Sequence, residues 1–233
     1  MMMINLMKLE FYKVKIRFYI IGLLIIILGL LFFANTSMYA SIQDTPANSY
    51  SNILKLVNMA VMECFTIYGA ILIAKVIIGE YVNRSILIML SYPINPKLWM
   101  SAKLIIIGLF VMFGTLLGNI CCIVFIVFRD HYWNIVNGNF SKENFEQIIT
   151  MTITSMILNG LFILFPFVIG MIKKSISATI VASIIMAFLI QIMFTQTKNL
   201  TELIVSGTIF ILFLILFTGV IFVFNIKIVN ATE

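Results

Sequence analysis

Six runs of apolar residues divide the chain, at about 18–34, 56–78, 104–128, 149–172, 176–194 and 203–225, and polar residues collect in the breaks between them. A helix needs roughly 20 apolar residues to cross a hydrocarbon core, and each run meets that need, with 18–34 and 176–194 near the lower limit. The pattern predicts an all-α polytopic membrane protein: a single transmembrane domain over residues 1–233 with six transmembrane helices. The break between the fourth and fifth runs is only Lys173-Lys174-Ser175, so these two helices must form a tight hairpin.

The breaks carry patterns of their own. Met3, Met7, Phe11, Val14 and Phe18 fall on one helical stripe, with Lys8, Lys13, Lys15 and Arg17 close by. Such a stripe suits an amphipathic N-terminal helix lying in the interface, or a first span that begins early. Residues 35–55 and 129–148 read as the two sizeable external loops, and 195–202 as a short one. Ser141 followed by Glu143 is a start signal for a short helix containing Phe145, Ile148 and Ile149, leading into the fourth span. The first run has a basic start, but a signal-peptide cut after Ala40 would put Met38 where a small residue is wanted, so it reads as a retained span.

Composition supports this division. The 233 residues are 62% hydrophobic and 10% charged, with mean hydropathy +1.14, whereas soluble domains carry about 25% charged residues. Net charge is +6, which in a soluble chain would raise nucleic acid as a partner. Here the basic residues sit at span ends, so no nucleic-acid partner is expected. With a cytoplasmic N-terminus, the inner segments hold Lys8, Lys13, Lys15, Arg17, Lys75, Arg84, Lys97, Lys103, Lys173, Lys174 and Lys227. The outer ones hold Lys55, Arg129, Lys142 and Lys198, and this imbalance predicts that both termini face the cytoplasm. Cys64, Cys121 and Cys122 lie in apolar runs and have neither disulfide-framework nor metal-ligand spacing.

Much chemistry is missing. No GxxxxGK[ST] loop occurs, so the chain is not itself a P-loop ATPase, and neither GxSxG nor HExxH is present. His131, the one histidine, stands beside Asp130 in an expected external loop. Paired intramembrane carboxylates are absent, which disfavours proton-driven transport and aspartyl proteolysis. The expectation is a non-enzymatic membrane subunit with no metal or cofactor of its own.

Polar residues within the runs are the candidates for a substrate path. Glu63, in MAVMECFTIYGA, is the one acidic residue well inside a span, and a charge there should face protein or water. It either lines a path for cationic groups or makes a structural hydrogen bond. Asn119 and Asn159 are the most polar residues of the third and fourth runs, among Thr66, Thr115, Thr154, Ser155, Ser183 and Gln191. Gly114 and Gly118 form a GxxxG that permits close helix contact. Pro166 removes a helical hydrogen bond and should kink the fourth span.

The remaining feature is GEYVNRSILIMLSYPINPKLWMSAK, residues 79–103, between the second and third runs. Glu80 stands at the end of the second span. Ile86, Leu87, Met89 and Leu90 give the next turns an apolar side, while Asn83, Arg84 and Ser85 are polar. Pro93 and Pro96 break the helix, and Lys97 and Lys103 mark re-entry. The segment is either an interfacial loop anchored by Tyr81, Tyr92 and Trp99, or a short helix that docks on a cytoplasmic partner.

The string Glu80-Tyr81-x-Asn83-x-Ser85-Ile86, then Leu90-Ser91-x-Pro93-Ile94, with Lys103 before an apolar span, resembles the ABC-2 type permeases. Their pattern runs roughly E-Y-x-N-G-T-I-x-x-x-L-S-x-P-I-S-R and ends in Gly-Lys. Arg84-Ser85 replaces Gly-Thr, Asn95-Pro96 replaces Ser-Arg, and Ala102 precedes Lys103 in place of Gly. The layout of six spans with an amphipathic N-terminus is similar as well.

The resemblance implies that residues 79–103 couple to separate cytoplasmic ABC ATPase subunits, which bind ATP and Mg. It also implies a second permease chain, identical or a sibling, in a bacterial cell membrane. On that basis Glu80, Tyr81, Asn83, Arg84, Ser85, Ile86, Leu87 and Leu90 are ATPase-coupling residues. Glu80 and Arg84 would be the polar contacts, and Ile86, Leu87 and Leu90 would seat the apolar side. A short chain without large external domains is similar to the subgroup that exports, or gives immunity to, amphipathic peptides such as lantibiotics, bacitracin and cytolytic peptides. The alternatives from the residues alone are an ATP-independent secondary transporter and a sensor or assembly subunit.

Overall fold

The computed structural model describes residues 16–43, 50–82, 96–133, 142–196 and 208, and all of its extended elements are helices. In chain order they are α1 (Ile16–Gln43), α2 (Tyr50–Ile73), a π-turn (Ala74–Ile78), α3 (Gly79–Val82), α4 (Pro96–Trp133), α5 (Lys142–Phe162), α6 (Leu164–Lys173) and α7 (Ile176–Gln196). Four stretches are long and apolar enough to cross a membrane: Tyr19–Tyr39, Asn52–Ile78, Met100–Trp133 and Ile148–Lys173, with Ile176–Ile192 a shorter apolar helix. The amphipathic segment before Ile16 and the sixth run, 203–225, lie outside the described residues.

The helices outrun the apolar runs. Residues 35–43, expected in an external loop, continue α1. Helical structure resumes at Tyr50. The hydroxyl side chains do not prevent this: Thr36 Oγ1 donates to the Phe33 carbonyl at 2.9 Å and Ser37 Oγ to the Ala34 carbonyl at 2.8 Å, so neither competes for the helical N–H groups. The expected 129–148 loop shrinks in the same way, because α4 runs on to Trp133 and α5 begins at Lys142. The helix expected from Ser141 and Glu143 is therefore the first part of α5 itself. At the other end α4 begins at Pro96, where the missing N–H has no helical partner to lose.

α2 is the axis of the bundle. Two thirds of its most apolar window, 67%, is buried, against 11% for the span in α1. It packs against α1, α4, α5 and α7. Glycines on the neighbours let it come close. A Cβ at Gly114 would lie 2.5 Å from the Phe65 ring and one at Gly118 2.9 Å from it, so the GxxxG of α4 is the seat of a fully buried phenylalanine. At Gly69 the small residue is on α2, and Ile163 and Val111 fill the space. Because Phe65 meets 114 and 118 while Gly69 meets 111, α2 and α4 are antiparallel.

The fourth apolar run is not one continuous helix. α5 ends at Phe162, Ile163 is a turn, and α6 starts at Leu164. The physical reason is Pro166, whose ring has no N–H for the Phe162 carbonyl four residues back and crowds it. α6 ends at Lys174 in the left-handed conformation (φ 45°, ψ 42°), and Ser175 N–H closes the turn onto the Gly170 carbonyl at 3.3 Å. α7 then returns along α2, giving the tight hairpin that Lys173-Lys174-Ser175 requires.

Gly114→Ala should destabilise the purified chain in detergent by about 1–3 kcal/mol, because the methyl group overpacks against a ring with no room to move. Adding Phe65→Leu should recover part of that loss. Thermal unfolding followed by helical dichroism checks both, and a neutral Gly114→Ala would show that the ring is not held there.

Candidate functional site

The site begins where α2 changes its winding. Over Ala74–Ile78 the backbone forms a π-turn, and Gly79 N–H reaches back to the Ala74 carbonyl. A π-turn inserts one residue, rotates the helix beyond it, and misaligns the local carbonyls. One of these, Val76 O, accepts the Lys103 ammonium at 3.4 Å. The same ammonium donates to both carboxylate oxygens of Glu80, each at 2.8 Å. The turn is also packed from the side, because Gly170 of α6 is bare where Ile78 and Thr179 approach it.

Lys103 is 2% exposed and the Glu80 side chain 23%. Glu80 lies in α3 and Lys103 in the first turns of α4, so the pair joins the two ends of the segment between them. A lysine this buried is retained only with an acidic partner, since an unpaired buried charge costs several kcal/mol. The neighbouring Ala102, where the resembled pattern has glycine, is fully buried as well.

Of the expected coupling residues, Glu80 is thus held against Lys103, and Tyr81 lies in α3. Asn83, Arg84, Ser85, Ile86, Leu87 and Leu90 lie outside the described residues. Pairing between Glu80 and Lys103 was not read from the sequence, although both belong to the motif. Opposite charges at the two ends of one interhelical segment were the available signal.

The substrate-path candidates separate onto three helices. Asn159, on α5, has its side-chain oxygen on Thr66 Oγ1 at 2.6 Å and its Nδ2 3.4 Å from the Met62 carbonyl. Two turns earlier on α2, Asn58 Nδ2 donates to Ser155 Oγ at 2.7 Å, and that hydroxyl in turn donates to Met151 O at 2.6 Å. These contacts form one seam: Asn58 meets 155 and Thr66 meets 159, so α2 and α5 run parallel. Asn58 was missed, and its signal was the eight-residue spacing to Thr66, which places both on one stripe. Glu63 points elsewhere on α2, and its Oε1 is enclosed with no hydrogen-bond partner. Asn119, on α4, is 2% exposed, and its Nδ2 has no partner either. No cluster of three or more His, Cys, Asp or Glu suited to a metal occurs among the described residues.

At the far end of α4, Arg129 is not in a loop but in the last turns of the helix. Its Nη2 donates to Tyr39 OH at 2.6 Å, joining the ends of α1 and α4. Polar, hydrogen-bonded contacts thus tie the bundle at both ends and along its α2–α5 seam.

Fold and site together define an all-helical protein with four helices of membrane-crossing length and an ion pair closing the base of an interhelical segment. The chain is 30% identical over 190 residues to the uncharacterized protein YcbO of Bacillus subtilis (strain 168), a match covering 80% of this chain and 83% of that one. The chain belongs to the same family as YcbO. No family model matches it, and no solved structure does.

Lys103→Met should cost about 3 kcal/mol of unfolding free energy in detergent, because it strands Glu80. The double variant Glu80→Gln/Lys103→Met should recover much of that. Equilibrium unfolding of the three variants measures the coupling, and strictly additive losses would mean that the two side chains do not sense each other.

Proposed function

We propose that the chain is the permease subunit of an ATP-driven exporter of the ABC-2 type, multi-pass in a bacterial plasma membrane. Residues 203–225 form its sixth span and both termini are cytoplasmic. The observation that carries this reading is the Glu80–Lys103 pair. The two charged residues that bound the family-like motif also meet in space, so the ends of that motif are tied together on α3 and α4. A segment fixed at its root transmits a push to the helices, whereas a free loop absorbs it.

On this reading Glu80, besides holding Lys103, and Arg84 supply polar contacts to the ATPase, and Ile86, Leu87 and Leu90 seat the apolar side. The π-turn is the natural place for motion to enter α2, since a π-turn can return to α-helical winding by moving its extra residue along the chain. ATP binding by the partner would thereby reorient α2 and its neighbours against a second permease chain. ATP and Mg belong to the partner, and amphipathic antimicrobial or cytolytic peptides are the cargo proposed from the subgroup resemblance.

A second reading, an ATP-independent transporter, is favoured by one observation: Glu63 Oε1 is enclosed in α2 without a hydrogen-bond partner. The two readings differ in their partner. Co-expressed with the products of its neighbouring genes, the chain should copurify with an ABC ATPase, and Arg84→Glu should reduce recovery of that ATPase about tenfold while leaving the chain's own yield unchanged. Peptide efflux that persists without any ATPase would instead support the second reading.

A further inference from the structure

Arg129 sits in an aromatic enclosure that α1 and α4 build together. Its guanidinium carbon lies 4.9 Å from the Tyr39 ring centroid, 4.7 Å from that of Trp133 and 6.0 Å from that of Phe125. Rings at these distances favour a cation through their negative faces. They do not neutralise it, and among the described residues no carboxylate pairs with Arg129. Of its five donors, one goes to Tyr39 OH, and Nε is enclosed without an acceptor. The charge is held in place, with the Tyr39 hydroxyl as its oxygen partner among the described residues.

The surroundings indicate what further oxygen partner the guanidinium could take. Phe128, Tyr132 and Trp133 are 63%, 67% and 63% exposed beside the arginine, and the ring centroids of Phe128 and Tyr132 are 4.9 Å apart. Exposed tyrosine and tryptophan at the end of apolar helices mark the headgroup level. The length of α4 gives the same level independently. Lys103 and Arg129 are 26 residues apart on one helix, which is about 39 Å of axis. That exceeds the roughly 30 Å hydrocarbon core by a few ångströms at each end.

We infer that Arg129, with Tyr39 and Trp133, forms a docking site for the phosphate group of a membrane lipid at the water end of α1 and α4. The planar guanidinium presents parallel N–H groups that match two phosphate oxygens, and the exposed rings cover the glycerol and upper acyl chains. Such a lipid would reinforce the Tyr39–Arg129 link between α1 and the bundle, where α1 is the least buried of the four described spans. The inference rests on the proposed membrane placement and not on ATPase coupling.

The test uses the full chain with Trp99→Phe, leaving Trp133 as the only tryptophan of the two. It is reconstituted into vesicles of uncharged diglucosyl-diacylglycerol. Either phosphatidylglycerol or diacylglycerol, brominated on the acyl chains, is added at the same low mole fraction, and quenching of Trp133 is read. Phosphatidylglycerol should quench several-fold more than diacylglycerol. Arg129→Gln should abolish the difference, and Arg129→Lys, which keeps the charge but loses the planar fork, should retain part of it; helical dichroism confirms that both variants fold. Equal quenching by the two lipids, or an undiminished difference in both variants, would overturn the site. Loss of the difference on adding inorganic phosphate, at ionic strength matched with chloride, would assign the site to free phosphate and overturn the lipid. A chain that fails to enter the vesicles would instead count against the membrane placement.

Discussion

Apolar side chains inside a bilayer gain little from facing one another rather than lipid, so close approach to α2 is the constraint on which this bundle depends. The approach is made where side chains vanish. Gly114 and Gly118 receive Phe65 and Gly69 receives Ile163 and Val111, while Gly160 receives Met112 where α5 meets α4. Once the helices are that close, hydrogen bonds form between them. The Asn58–Ser155 and Thr66–Asn159 contacts add direction to a packing that apolar surfaces alone would leave free to rotate.

The charged groups lie at the ends of this arrangement and depend on it. Lys103 can be buried because Glu80 and the Val76 carbonyl are brought to it by the π-turn. That turn is in turn held by Ile78 against Gly170. At the opposite end of α4, Arg129 ties α1 to the bundle through Tyr39. The two ends differ in kind. One is an internal ion pair at the root of a chain segment, suited to passing on displacement. The other is a cation among partly exposed aromatic rings, joining two helix ends.

Hydropathy made the helices legible, because a run of apolar residues in a chain this poor in charge has few other fates. Helix ends were less legible. Thr36 and Ser37 look like loop residues, yet their hydroxyls bond back to carbonyls of their own helix and do not interrupt α1. Pro96 reads as a helix breaker and is in fact a first helical residue. Pro166 gave both the place and the cause of the interruption in the fourth run, since its effect falls on a carbonyl only four residues away.

The sequence by itself determined the all-helical class, the approximate course of the described helices and the hairpin at Lys173–Ser175, all of which depend on local composition and spacing. Tertiary structure decided the pairings: Glu80 with Lys103 across 23 residues, Tyr39 with Arg129 across 90, and Asn58 with Ser155 across 97. It also decided the π-turn, within and just beyond which Val76 O and Glu80 meet the same ammonium. Such contacts depend on how helices rotate and approach, and that is set by glycines and hydrogen bonds acting together on several helices, beyond the reach of any local pattern.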